Sequence, residues 1–352
     1  MVRIAIIPGD GVGPEVAEEA IPLLRWAKDM GRPLDWDLLP FGAEHFLRTG
    51  EILPETGFEA IRDHSDAVLF GAVGDPRIPD NRHAEGILLK LRQGLQLRVN
   101  LRPCRPLRDD LLPLKGVAAR EVAIEVFREN TEGPYCLKGW TGSSLAVDEA
   151  VHTEEAVGCL LDAAFLRARQ TGRPLVMAHK SNVLKHGHGL WMRLFGDCCR
   201  AFPGVQARGI HADVLLCALV QDPRPFGVIA ADNFIGDLVS DLLAGLQGGM
   251  GMAPSGSTAP HRPFRCTGLF EPVHGSAPDI AGTGRANPCG MLLSTAMMFR
   301  HFAWEAEADA VESAVGQAVR SGAGTPDVGG HLGTRAMGDA VRQLLPKVSS
   351  SS

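Results

Sequence analysis

The feature that most constrains this chain is its alternation of short apolar runs with longer amphipathic ones. VRIAIIP is closed by the turn GDGVGPE, and a helical pattern follows to about Met30, with Pro14 suited to its first turn. LDWDLLPF, PETGFEAIRDH and DAVLFGAV repeat the strand, helix, strand order. A helical pattern from about Ala84 to Gln96 leads into VNLRPCRPL. The middle of the chain alternates three times more: EVAIEVF before HTEEAVGCLLDAAFLRARQ, PLVMAHK before SNVLKHGHGLWMRLFGDCCRAF, and GVIAADN before GDLVSDLLAGL. Such a pattern buries a largely parallel sheet under helices, so the fold class is α/β. Residues 248–263, rich in Gly, Ser and Pro, read as loop. Two or three helices follow, and KVSSSS reads as a frayed end.

A chain of 352 residues has length for two domains, or one large one, around ample core. The net charge of -6 comes without a basic run, so neither nucleic acid nor an anionic membrane is an expected partner. No apolar stretch reaches membrane-spanning length. The apolar part of MVRIAIIPGDG is too short for a signal peptide, so a cytoplasmic protein is expected. The eight cysteines show no CxxC and read as reduced, mainly buried thiols.

Several constellations can carry chemistry, each with a plainer alternative. In DNFIGDLVSD, Asp237 and Asp241 share a helix face just past a strand that ends near Ala230. Two carboxylates so placed suit a hard divalent cation such as Mg²⁺ or Mn²⁺. They can equally balance the helix dipole. In MAHKSNVLK, Lys180 ends a strand and Asn182 opens the next helix. Such a lysine is a general base if its pKa is lowered, and otherwise a solvated side chain. Arg92, Arg102 and Arg128 each follow apolar residues and need anions, either a bound dicarboxylate or internal partners such as Glu85 and Glu129. The spacing in GDGVGPE is GxGxG followed by Pro, which reads as a tight turn and not as a Rossmann fingerprint. The segment FEPVHGSAPDIAGTGRANP is polar among glycines and prolines, as an ordinary surface loop or a ligand-holding one would be. In the second case backbone near Gly275 approaches a nucleotide, and Asp279 accepts a ribose 2′-hydroxyl while repelling a 2′-phosphate. Last, VFRENTEGPYC holds Tyr135, the single tyrosine of the chain.

Taken in order, PGDGVGPE, LLKLRQGLQLRVNLRP, RENTEGPY, HKSN, DNFIGDLVSD with GGMGMAPSGS, EPVHGSAPDIAGTGRANP and TPDVGG span nearly the whole chain. Together they resemble the β-decarboxylating dehydrogenases of 2-hydroxy acids, the family of isocitrate, 3-isopropylmalate, homoisocitrate and tartrate/D-malate dehydrogenases. The resemblance implies a two-domain α/β fold that is not a Rossmann fold. Residues 1–97 and 248–352 would form a first domain with most of the cofactor site. Residues 98–247 would form a second, with a dimerisation arm and the metal-binding helix. It also implies a homodimer with shared active sites, NAD, and Mg²⁺ or Mn²⁺. Carried over by motif, Arg92, Arg102 and Arg128 bind the substrate's carboxylates. Asp237 and Asp241 bind the metal with Asp213 of the other subunit, and Lys180, also from the other subunit, helps take the C2 hydroxyl proton. Tyr135 is the general acid, its phenol tuned downward by neighbouring Lys and Arg charges. His274, Gly275, Ser276, Ala277, Asp279, Ile280 and Asn287 contact the adenosine half of the cofactor, and Glu85 lies near the nicotinamide. The Asp279-Ile280 pair matches the NAD-type pattern.

The substrate is read from the helix before Arg92. Leu88 and Leu89 give an apolar lining, worth about 0.8 kcal/mol for each methylene buried against it. That favours 3-isopropylmalate, converted to 2-oxoisocaproate in leucine biosynthesis. RENTEG, HKSN and HGHGLW look more like the tartrate/D-malate and homoisocitrate branches, which stand as alternatives beside a specialised alkylmalate dehydrogenase. Arg98 occupies a place where relatives usually have Tyr or Phe. It either favours a more acidic substrate or faces solvent. A catalytically silent regulatory subunit is disfavoured by the presence of Lys180, Tyr135 and the three aspartates.

Overall fold

The computed structural model describes residues 1–347; the end of KVSSSS, read as frayed, lies outside the described residues. β1 (Val2–Gly9) turns into α1 (Gly13–Asp29), with Pro14 in the first helical turn. β2 (Leu34–Leu38), α2 (Ala43–Thr49), α3 (Glu55–His64) and β3 (Ala67–Ala72) follow. α4 (Arg82–Ala84), a π-helical turn at Glu85–Leu89 and α5 (Lys90–Gly94) run on without a break. Next come β4 (Val99–Cys104), β5 (Ile124–Glu129), β6 (Gly139–Thr141), β7 (Ala146–Asp148) and α6 (Glu154–Thr171). β8 (Leu175–His179), α7 (Gly187–Ala201), β9 (Ala207–His211), α8 (Ala212–Gln221), β10 (Val228–Ala231) and α9 (Asn233–Leu246) continue the alternation. β11 (Pro254–Thr258), β12 (Gly268–Pro272), α10 (Cys289–His301), α11 (Glu305–Arg320) and α12 (Thr334–Arg342) complete it.

The chain divides into two compact units. One comprises residues 1–95, 247–256 and 261–352, and the other residues 96–246 and 257–260. In the first unit the strand order is β2-β1-β3-β12-β11, with β1 parallel to both neighbours and β3 parallel to β12. Its first turn shows why GDGVGPE is glycine-rich. Gly9 and Gly11 have φ of +74° and +58°, and a Cβ on Gly11 would lie 1.9 Å from the Ser276 carbonyl oxygen. That carbonyl accepts the Val12 N–H at 2.8 Å. The glycines therefore serve close approach of the chain to itself, as a tight turn requires.

In the second unit the order is β4-β5-β10-β8-β9, parallel except for the antiparallel pair β4–β5. Helices cover both faces, so the strands read as continuous apolar runs. Successive side chains still part to opposite sides. Leu175 and Met177 join Phe165, Trp191 and Phe195 under α6 and α7. Val176 and Ala178 join Leu215, Leu219 and Val239 under α8 and α9. Each such fully buried Leu, Phe or Met contributes roughly 1.5–3 kcal/mol.

Three expectations are corrected. The supposed loop at residues 248–263 contains β11, and Phe270–Pro272 of the polar segment lies in β12. PSGST forms a buried strand because its polar atoms are satisfied: Ser257 Oγ accepts Nδ2 of Asn100 at 3.1 Å and of Asn130 at 3.0 Å. The helix after Lys180 begins at Gly187, not Asn182. The Lys180 carbonyl instead accepts the N–H groups of Val183 and Leu184, closing a turn.

Candidate active-site residues

In the second unit, α9 starts directly after β10 and brings one face past the ends of β4 and β5. Asn233, Asp237, Ser240 and Asp241 lie on that face. Arg102, from β4, donates through Nη1 to Asp237 Oδ1 at 3.1 Å, Asp241 Oδ1 at 3.3 Å and Ser240 Oγ at 2.8 Å. Arg128, from β5, is 1% exposed and donates to Asp237 through Nη1. Asn233 Oδ1 accepts its Nε at 2.9 Å and its Nη2 at 2.7 Å. Asn233 and Ser240 were not among the sequence candidates, although the same spacing of four that marked the two aspartates includes Asn233.

Tyr135 sits on a short 3₁₀ turn, Pro134–Cys136. Its hydroxyl donates to Asp237 Oδ2 at 2.6 Å, and the Arg128 guanidinium lies 5.1 Å from its ring centre. The expected downward tuning is corrected. Burial, then the bond to the Asp237 carboxylate, hold this phenol above its ordinary value, although Arg128 and Arg102 pull the other way. Tyr135 therefore keeps its proton.

The donor set fits a hard divalent cation. Asp237 and Asp241 already converge on one positive group, Arg102 Nη1, through carboxylate oxygens. Burial and the Asp237 charge raise the Asp241 carboxyl, which marks an excess of negative charge that a cation would relieve. Within the chain Asp213 does not join these two. It meets Lys180, whose Nζ is 2.9 Å from Asp213 Oδ1, and that contact lowers the Asp213 carboxyl.

In the first unit, Arg92 is buried and its Nη2 donates to Glu271 Oε1 at 2.6 Å, an internal partner other than the alternatives Glu85 and Glu129. Leu88 and Leu89 are partly exposed in the π-helical turn, and Glu85 is exposed. Such turns are frequent at functional sites. His274, half-buried, offers an Nε2 that lacks a hydrogen-bond partner among the described residues. Burial lowers its pKa, so the ring is neutral. An orphaned nitrogen beside the open Gly275, where an added Cβ would meet nothing within 4 Å, fits a polar ligand. Ser276 is buried, Ala277 has φ +39°, Asp279 is exposed and Ile280 is partly exposed. Asn287 is committed internally, donating to Asp327 at 3.0 Å and accepting the Cys289 N–H at 3.0 Å. Arg98 does not face solvent. It is largely buried and paired at 2.6 Å with Glu155 in the first turn of α6.

Two α/β units, with paired aspartates, buried arginines and a phenol on one helix face, describe an acid-handling enzyme. The chain belongs to the isocitrate/isopropylmalate dehydrogenase family, whose sequence pattern matches residues 3–341. It is 38% identical to the 3-isopropylmalate dehydrogenase of Thermobifida fusca, over 98% of both chains. It is 39% identical to that of Streptomyces avermitilis, over 96% of this chain and 99% of the relative. Among solved structures, isocitrate dehydrogenase from Methylococcus capsulatus superposes with a TM-score of 0.88 at 29% identity, covering 98% and 99% of the two chains. A β-decarboxylating dehydrogenase from Thermococcus kodakarensis gives 0.79 at 34% identity, covering 98% and 96%. The fold is thus that of the decarboxylating dehydrogenases and not a Rossmann fold.

Proposed function

We propose that the protein is an NAD- and divalent-metal-dependent dehydrogenase that oxidatively decarboxylates 3-isopropylmalate to 2-oxoisocaproate. The observation that carries the reaction is the convergence of Arg102, Arg128 and Tyr135 on the Asp237–Asp241 face of α9. The substrate is supported by the partly exposed Leu88–Leu89 pair and by the relatives named as 3-isopropylmalate dehydrogenases.

In this reading Arg92, Arg102 and Arg128 take the two carboxylates. Asp237 and Asp241, with Asp213 of the partner subunit, would hold Mg²⁺ or Mn²⁺. Bound there, the ion supplies Lewis-acid polarisation of the C2 oxygen and steadies the charge left as CO₂ departs. NAD⁺ supplies the hydride acceptor, with His274, Gly275, Ser276, Ala277, Asp279, Ile280 and Asn287 on the adenosine side and Glu85 toward the nicotinamide. Lys180 of the partner subunit accepts the hydroxyl proton as C2 is oxidised. The carboxylate on C3 is now β to a ketone; its bond to C3 breaks and the electron pair passes into an enolate. Tyr135 gives a proton to C3. One proton leaves the hydroxyl and one arrives at carbon, so no net proton is released.

A homodimer is supported by apolar side chains left exposed on α8 and α9: Val214, Val220, Phe234 and Leu238. Trp140 and Leu145 on the β6–β7 hairpin add to them. Among the described residues no helix is long and apolar enough to cross a membrane. All eight cysteines are free, and burial pushes the Cys104, Cys266 and Cys289 thiols up to about 12, in keeping with a reducing cytoplasm. NADH formation by the pure protein with 3-isopropylmalate and Mn²⁺ tests the proposal. No NADH with any 3-substituted malate would sink it.

A further inference from the structure

Lys180 stands where β8 runs out. His179, paired with His211 of β9, is the last residue of the ladder, so the Lys180 N–H is the first backbone donor beyond it. That N–H donates to Nδ1 of His188 at 2.9 Å. His188 lies in the first turn of α7 and is 1% exposed. Its Nε2 is 3.1 Å from Oδ2 of Asp232, itself buried, and Asp232 Oδ1 accepts the Ile235 N–H at 2.7 Å. These contacts assign the proton. A nitrogen that accepts an N–H carries none, so neutral His188 is protonated on Nε2 and gives that bond to Asp232.

The same accounting removes a metal reading of the cluster. Among the described residues, His152, His188 and Asp232 are the one group of three whose ligand atoms lie within 4.8 Å of one another. A ligating imidazole needs a free lone pair. His188 spends its Nδ1 lone pair on the Lys180 N–H. His152 spends its own on the Trp191 indole N–H at 3.2 Å. Both rings are left with a protonated Nε2. Burial also keeps His152 neutral, by lowering its pKa.

We infer that His188, oriented by Asp232, is a positioning residue for Lys180. The lysine is pinned at both backbone polar atoms, because its carbonyl accepts the N–H groups of Val183 at 3.0 Å and Leu184 at 2.8 Å. The His188 N–H in turn donates to the Leu184 carbonyl at 3.2 Å. The side chain thus leaves the strand end in one direction, toward Asp213. The inference rests on the reading of Lys180 as the base of the dehydrogenase reaction. Misplacing a reacting group by about 1 Å costs on the order of 10²-fold in rate.

Two variants separate the ring's bonds. His188→Asn keeps an acceptor near the Nδ1 position, whereas His188→Gln reaches the Nε2 position and leaves the Lys180 N–H unpaired. His188→Gln should lower kcat roughly 10- to 100-fold with both KM values within about 2-fold, and His188→Asn should stay within about 5-fold of wild type. In a Lys180→Ala background His188→Gln should change kcat no further. Losses that multiply, or equal losses in the Asn and Gln variants, would overturn the positioning role. Hydrogen exchange at the Lys180 amide is read without turnover. It should be fast in His188→Gln and slow in wild type and His188→Asn, and unchanged protection in the Gln variant overturns the inference. That exchange pattern supports the His188 contact even in a protein that reduces no NAD⁺, an outcome that would count against the dehydrogenase reading alone.

Discussion

Asp237 is the residue on which the proposed chemistry of the second unit turns. It accepts Arg102, Arg128 and the Tyr135 hydroxyl at once. A cation bound at Asp237 and Asp241 must compete with Arg102 for the same oxygens. Asp241→Asn should therefore raise the Mn²⁺ concentration for half-maximal activity by at least about 10-fold, read from a metal titration. An unchanged midpoint would remove Asp241 from the metal site. In the proposed reaction Tyr135 has a separate task. Tyr135→Phe keeps the ring beside Arg128 but removes the proton, so kcat should fall about 10²- to 10⁴-fold. The isotope effect from deuterium at C2 should shrink toward one, because protonation at C3 then limits turnover. An isotope effect of undiminished size would mean that the phenol is not the specific acid. That Asp237 and Asp241 share a helix face was legible from their spacing. The direction of the phenol's pKa was not, because it depends on a carboxylate about one hundred residues away in sequence.

At the scale of elements, α6 is tied to β5 through Glu125. Its carboxylate is forked by Arg167 at 2.6 Å on both oxygens and is 2% exposed. Burial alone would raise this carboxyl; Arg167, helped by Arg105 and Arg173, outweighs it and holds the value low. A depressed folded pKa contributes stability that is present above the unfolded glutamate value of about 4.3. That contribution is lost as pH falls through the lowered folded value. The urea midpoint of wild type should therefore drop on acidification below about pH 4, and Glu125→Gln should flatten that drop. Glu125→Ala takes the buried carboxylate away from the partly exposed Arg167 and should cost about 2 kcal/mol at neutral pH. Elements with strong periodicity, such as α1, α6 and β8, were readable from the sequence. β11 was not. PSGST has the composition of a loop, and partners distant in sequence, among them Asn100, Asn130, Ser294 and the Val99 carbonyl, satisfy its polar groups. β9 and the β6–β7 hairpin carry too few apolar residues to announce themselves.

At the scale of the whole molecule, the proposed dimer makes a quantitative prediction. If Lys180 and Asp213 complete the partner's site, Lys180→Ala and Asp237→Asn protomers are each inactive alone. Mixed and refolded together, they should recover about a quarter of wild-type activity, since half the dimers are mixed and each has one intact site. No recovery would place Lys180 in its own subunit's site. Family membership was legible because the motifs span the chain in order; the substrate was less so, because Leu88–Leu89 and the RENTEG and HKSN segments point to different branches. The decisive measurement is kcat/KM with NAD⁺ and Mn²⁺ for 3-isopropylmalate, D-malate, tartrate and homoisocitrate, side by side. The largest value is expected for 3-isopropylmalate, and a larger one for D-malate, tartrate or homoisocitrate would contradict the assignment.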